Sequence, residues 1–133
     1  LVDVETLYIT DIYSTTSKKH DVKIGPQVAG ISPSDLRSLA ADRGYDVKAF
    51  CDELRDNGIR PLIKHRIMNP LDHAHNARMD GDRYHQRSML ETVFSSIKRT
   101  LGAAVRARSW WLEFRQMLLK VTVYNLHRSV RYP

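Results

Sequence analysis

The chain has 133 residues, 42% of them apolar and 27% charged, with 21 Lys and Arg against 15 Asp and Glu. That composition excludes collagenous, low-complexity and charge-swollen disordered chains, and the length supports one packed core. No run approaches 18 apolar residues, so nothing is expected to span a membrane, and the single Cys51 excludes a disulfide framework or a cysteine-based zinc site. The charge excess is concentrated: ten basic residues between Arg60 and Arg108 face four acidic ones, and the rest of the chain is neutral. Such a stretch fits a polyanionic partner such as nucleic acid, although a solvated basic face gives the same count.

The chain opens without Met, and Leu1-Val2 reads as the interior of something longer. Val2 and Val4, then Leu7 and Ile9, alternate at spacing two around Glu5-Thr6, which predicts strand, turn, strand over residues 1–13. A polar loop is expected from Thr15 to His20, then a short helix over 22–28 capped by Asp21, and a break at Ser32-Pro33-Ser34-Asp35. Residues 36–41 form a small-residue strand that runs into Asp42-Arg43-Gly44-Tyr45, a turn in which Gly44 permits positive φ. Asp46 is expected to cap the next helix, where Val47, Phe50, Cys51 and Leu54 make one apolar stripe and Gly58 closes the C′ position.

Residues 59–63 predict a short strand placed at a sheet edge by Pro61. The polar stretch 64–83, with Asn69-Pro70 and Asp80-Gly81-Asp82, reads as a long loop, and loops of that length tend to be functional or disordered. Two helices follow, over 84–101 and 109–131, the second with Trp110, Phe114, Met117, Val121 and Tyr124 as its core stripe. The order strand, strand, helix, strand, helix, strand, helix, helix predicts an α/β or α+β fold with a mixed sheet, as one unit without linker or repeat.

One group of residues carries chemistry. On a wheel begun at Tyr84, the residues Tyr84, Arg87, Glu91 and Lys98 share an arc of about 60°. Beside it lie Leu90, Val93, Phe94, Ile97 and Leu101, which places Glu91 at the border of a buried face between two cations. A carboxylate there can serve a metal ion beside a phosphate. The bland reading is an i, i+4 ion pair between Arg87 and Glu91. Asp42, at a strand end, is either a turn residue or a ligand of the kind α/β folds present there.

Tyr84-x2-Arg87-x3-Glu91-x6-Lys98 resembles the Tyr–Arg–Glu–Lys signature of the insertion-sequence transposases of the DDE type. Ala41-Asp42-Arg43-Gly44-Tyr45-Asp46 resembles the segment that holds their second catalytic aspartate. The segments Ile59-Arg60-Pro61-Leu62-Ile63 and Asp72-His73-Ala74-His75-Asn76-Ala77-Arg78 are similar to that family too, so the resemblance covers nearly the whole chain. It implies a ribonuclease H-like mixed sheet with flanking helices, here lacking its first strand. The implied function is metal-dependent DNA strand cleavage and strand transfer, with Asp42 and Glu91 as catalytic and metal-binding carboxylates. The family uses two Mg²⁺ or Mn²⁺ ions. Tyr84, Arg87 and Lys98 are implied DNA contacts, DNA the partner, and a nucleoid-associated cytoplasmic protein, oligomeric when intact, the setting.

The first catalytic aspartate lacks a counterpart: Asp3 and Asp11 lie near the opening hairpin and neither has the family's context. Residues 1–133 thus resemble the C-terminal part of the catalytic domain, expected to bind metal weakly or not at all and to be inactive alone. The competing readings are a basic DNA-binding module without catalysis, a zinc protein using His65, His73, His75 and His85, and a helix-pairing surface on the Trp110 stripe.

Overall fold

A computed structural model describes residues 1–15, 24–25 and 36–131. The chain divides into two compact units, one made of Leu1–Ser17 with Ser88–Pro133 and the other of Lys18–Arg87.

The Lys18–Arg87 unit is organised by a βαβ element. Strand β1 (Ser38–Ala41) and strand β2 (Arg60–Ile63) run parallel, pairing Ser38 with Arg60, Leu39 with Pro61, Ala40 with Leu62 and Ala41 with Ile63. Parallel strands need a crossover, and helix α1 (Lys48–Asp56) supplies it. Its stripe is the one the periodicity predicts: Phe50, Cys51 and Leu54 are buried, with Leu39, Leu62 and Ile63 from the strands. Gly58 adopts φ +74°, and its amide bonds to the Arg55 carbonyl at 2.9 Å while the Ile59 amide bonds to that of Leu54 at 2.8 Å. This is a Schellman closure, and glycine takes the left-handed position without a Cβ penalty. Gly44 has no such role. It lies inside a 3-10 helix (Arg43–Tyr45), and the left-handed glycines among the described residues are Gly58 and Gly102.

Two further corrections fall in this unit. Residues 64–83 are not a long loop: helix α2 spans Pro70–Arg78 and helix α3 spans Gly81–His85. The residues read as loop punctuation are helix starts. Asn69 accepts from the amides of Leu71 and Asp72, Asp72 reaches back to the Asn69 amide, Pro70 occupies the first turn, and Asp80 caps α3 through the Arg83 amide. The second correction concerns Asp46, which does not cap α1. Val47 holds that position without a side-chain bond. The predicted helix at 22–28 is described only at Ile24 and Gly25, which are helical; the loop at 15–20 beyond Thr15 and the break at 32–35 lie outside the described residues.

In the other unit, residues 4–6 form the expected turn, but the flanking segments make a single antiparallel bridge, Val2 to Ile9, rather than two strands. The hairpin is completed by side chains of a helix. Asn125 accepts from the Ile9 amide at 3.0 Å and donates to the Ile9 carbonyl at 2.9 Å, so its carboxamide stands in for a neighbouring strand. The Tyr124 hydroxyl donates to Leu7 O at 3.1 Å, and Arg128 donates to Thr6 O. Helix α4 (Ser88–Leu101) and helix α5 (Trp110–Arg131) provide Val93, Ile97 and Tyr124 to a core against which Val2, Leu7, Ile9 and Leu101 pack.

Helix α5 has its predicted span, but its stripe is only partly core: Tyr124 is buried, Phe114, Met117 and Val121 are half-buried, and Trp110 is 62% exposed. On α4, Leu90 and Phe94 are exposed where the wheel predicts burial. Among the described residues the fold is α/β, with a two-stranded parallel sheet, and the antiparallel pairing expected of a mixed sheet is an isolated bridge in the other unit.

Candidate active site

The parallel register dictates what sits at the carboxyl end of the sheet. Ala41 pairs with Ile63, so the next residues, Asp42 and Lys64, leave the two strands side by side, where α/β folds present ligand-binding groups. Asp42 caps the 3-10 helix: its Oδ1 accepts from the Arg43 amide at 2.6 Å, while the carboxylate stays 71% exposed. Arg87 Nη1 lies 3.8 Å from the same oxygen. The Oδ2 atom has no partner among the described residues.

Tyr84 organises the cations around this acid. It is 4% exposed, held by α3, with the Lys64 ammonium 4.5 Å and the Arg87 guanidinium 5.0 Å from its ring centroid. Both distances are in the range of cation–π attraction, which orients the two cations without neutralising them. Lys64 was not singled out by sequence reasoning. The sequence shows only that Lys64 follows a predicted strand; the parallel register that sets it beside Asp42 comes from the fold.

The 3-10 helix is anchored from its other end by Asp46. One carboxylate oxygen lies 2.5 Å from His65 Nδ1 and the other accepts from the Arg66 amide at 2.7 Å. The segment after β2 is thereby tied to the segment after β1. Asn76 adds a reciprocal pair with the His65 backbone, at 2.8 and 3.0 Å, and the rings of His65 and His75 lie against each other with centroids 3.9 Å apart and planes tilted by 41°. Burial, and next the neighbouring His65, push the His75 pKa down from its ordinary value.

The Tyr–Arg–Glu–Lys set does not share one helix. Tyr84 lies in α3 and Arg87 in the turn that follows it, with its amide bonded to Tyr84 O at 3.3 Å, whereas Glu91 and Lys98 lie on α4 in the other unit. Continuing one wheel through residues 86 and 87 is therefore invalid. Glu91 occupies the first turn of α4 on the side away from the buried Val93, and is exposed instead of bordering the core. Its side chain makes no hydrogen bond or ion pair among the described residues, so the pair with Arg87 gives way to that of Arg87 with Asp42. Lys98 is exposed, one heptad further along α4.

Carboxylate oxygens are the donors that hard divalent cations take, and both acids are exposed with at least one oxygen uncommitted. The described residues nevertheless contain no group of three or more His, Cys, Asp or Glu side chains able to hold a metal ion. The histidines, with His65 bonded to Asp46 and His85 edge-on to Tyr84 at 5.9 Å, form no such group either.

The family model of the transposase DDE domain matches residues 1–126, and the chain belongs to that family. No curated protein and no solved structure matches it. Membership makes DNA the substrate class and places the chain among proteins that depend on divalent metal ions. No helix among the described residues is long and apolar enough to cross a membrane.

Proposed function

We propose that this chain acts in DNA transposition as part of a ribonuclease H-like centre, with Asp42 and Glu91 as two of its metal-binding carboxylates and Arg87, Lys98, Tyr84 and Lys64 as its DNA-contacting set. The observation that carries the reading is the convergence of Asp42, Arg87, Tyr84 and Lys64 at the carboxyl end of the parallel strands. Bound Mg²⁺ or Mn²⁺ supplies Lewis-acid activation of a water or a DNA 3′-hydroxyl for attack on a phosphodiester.

The chain's own side chains do the rest. Arg87 offers a planar fork suited to two phosphate oxygens, and its weak 3.8 Å pairing with Asp42 leaves that fork free to turn toward DNA. Lys64 and Lys98 add point charges for neighbouring phosphates. Tyr84 holds Lys64 and Arg87 in place from its buried position.

The ten basic residues against four acidic ones between Arg60 and Arg108 favour a second reading, a basic module that binds DNA without metal chemistry. Titrating duplex DNA with and without Mg²⁺ or Mn²⁺ separates the two. With two carboxylates holding the cation weakly, the transposition reading expects it to tighten binding at fixed ionic strength only at high cation concentration, with Asp42→Asn and Glu91→Gln abolishing that increment and Arg87→Ala weakening binding in either condition. Each lost phosphate contact should reduce the slope of log K against log salt by about 0.9. Binding indifferent to metal and to both acid substitutions refutes it and leaves the basic module.

A further inference from the structure

The first turns of α5 border a cleft that the proposed metal centre does not use. Its volume is about 370 Å³, within the range of small-ligand sites, and Val105, Trp110, Trp111, Glu113, Phe114 and Met117 are among the residues that line it. It lies inside the unit made of Leu1–Ser17 and Ser88–Pro133. Trp110 and Trp111 are 62% and 49% exposed, so neither serves as core.

The rings form a corner. Trp110 and Trp111 meet edge to face with centroids 5.6 Å apart and planes at 75°, and Phe114 extends the Trp111 wall at 6.4 Å and 29°. The Arg115 guanidinium lies 5.3 Å from the centre of the Trp111 ring and braces it by cation–π attraction. A flat π-system stacks on one such wall and meets the other edge-on, contacts that an aliphatic ligand of equal size does not make.

Two polar features narrow the ligand. Glu113 lines the corner, is exposed, and its carboxylate makes no hydrogen bond or ion pair among the described residues. Next to lining residues in the chain stand Arg106, Arg108 and Arg115, all exposed and none paired with an acid. The segment that carries Arg106 is held from α5. Gln116 Oε1 accepts from the amides of Arg106 and Ala107 at 3.0 and 3.1 Å, and the Lys120 ammonium donates to the carbonyls of Gly102 and Ala104 at 2.7 and 3.0 Å. Aromatic walls with one acid would suit an organic cation, but three guanidinium groups repel it. They attract instead a flat ring joined to anionic phosphates.

We infer that the corner takes an unpaired DNA base, guanine in preference to thymine. This follows from membership of a family whose substrate class is DNA, and it stands independently of Asp42 and Glu91. Stacking on Trp110 accepts any base, since every base has a π-face. Glu113 discriminates. A carboxylate only accepts, and the pairing edge of guanine offers it adjacent N1–H and N2–H donors, one for each oxygen. Thymine offers a single N–H between two carbonyl oxygens, which the carboxylate repels. In a duplex that edge of guanine is occupied by cytosine, so the preference belongs to single strands.

The two tryptophans of the chain are Trp110 and Trp111, so intrinsic fluorescence reports on the corner directly. The probes are an oligothymidylate of about ten nucleotides and the same strand with one central guanine, unlabelled for quenching and end-labelled for anisotropy. Both strands should quench the fluorescence, and the guanine strand should bind at least about fivefold more tightly. Glu113→Ala should remove that preference without weakening the thymidylate complex, and Trp110→Ala should weaken both complexes about fivefold or more. Arg106→Ala should reduce the slope of log K against log salt by about 0.7. Far-UV circular dichroism checks that α5 survives; if Trp110→Ala unfolds, Glu113→Ala, at an exposed position, decides. Absence of quenching, equal affinity for the two strands, a guanine preference that survives Glu113→Ala, or a folded Trp110→Ala chain that binds as wild type overturns the inference. Duplex binding and its response to Mg²⁺ should be unchanged in Glu113→Ala, so failure here and failure of the metal-centre reading are read separately.

Discussion

Replacing Asp46 with Ala removes the carboxylate that joins the segments following the two strands. Its side chain is 13% exposed and makes two bonds, to His65 Nδ1 at 2.5 Å and to the Arg66 amide at 2.7 Å. A hydrogen bond to a charged group contributes about 1.5–3 kcal/mol. The His65 bond, partly buried, merits that range, whereas the exposed Arg66 amide regains water when released and merits about 0.5–1 kcal/mol. The expected loss is therefore about 2–4 kcal/mol, with Asp46→Asn losing about half because one acceptor oxygen remains. For a unit of this size each kcal/mol lowers Tm by about 4–8 °C. Urea unfolding of wild type, Asp46→Ala, His65→Ala and the double variant provides the measurement. The two single losses should overlap, with a coupling of about 1 kcal/mol or more. A change below about 0.5 kcal/mol for Asp46→Ala, or additive single losses, refutes the reasoning, since the carboxylate would then be no better placed in the folded chain than in water.

Two further outcomes follow from the same unit. Ile63 is 1% exposed and closes β2, so Ile63→Ala should cost about 2–5 kcal/mol by urea unfolding, as a cavity-forming truncation does. His75, with its folded pKa below the unfolded value, favours the neutral ring in the folded state. The unfolded chain binds the extra proton between the lowered pKa and about 6.5, so stability should fall as pH drops through that window and level off above it. Thermal melts from about pH 5 to 8 should show this slope flattened by His75→Gln; an unchanged slope in the variant assigns the dependence to other groups.

What the sequence disclosed was local. The β1, α1, β2 run is legible because each piece carries its own signal: period-two or small-residue strands, a clean i, i+3, i+4, i+7 stripe, and a glycine placed for a Schellman closure. The misreading of 64–83 has an equally local cause. Asn-Pro and Asp-Gly punctuate loops, but an Asn cap, a Pro in the first turn and an Asp at the third helical position also begin a helix, and only the backbone bonding distinguishes the two. The separation of Tyr84 and Arg87 from Glu91 was hidden for the opposite reason, since residues 86 and 87 include neither Gly nor Pro to announce that α3 ends.

Asp46 shows where single-sequence reasoning stops. Its residue type is right for a helix cap, and its neighbours offer a helix to cap, yet its partners lie 19 and 20 residues away, brought there by the parallel register. The same register explains why Lys64 escaped notice while Asp42 did not: an acid at a strand end is conspicuous in one strand, a lysine only when the two strands are aligned. Helix α5 extends the point to surfaces. With apolar residues on both sides, its wheel admits more than one stripe, and choosing Trp110 to Tyr124 as the core implicitly assigned Leu112, Leu119 and Leu126 to solvent. A helix with apolar residues on both sides offers two stripes to the same wheel, and only the long-range bonds of Tyr124 to Leu7 and of Asn125 to Ile9 decide which one faces inward.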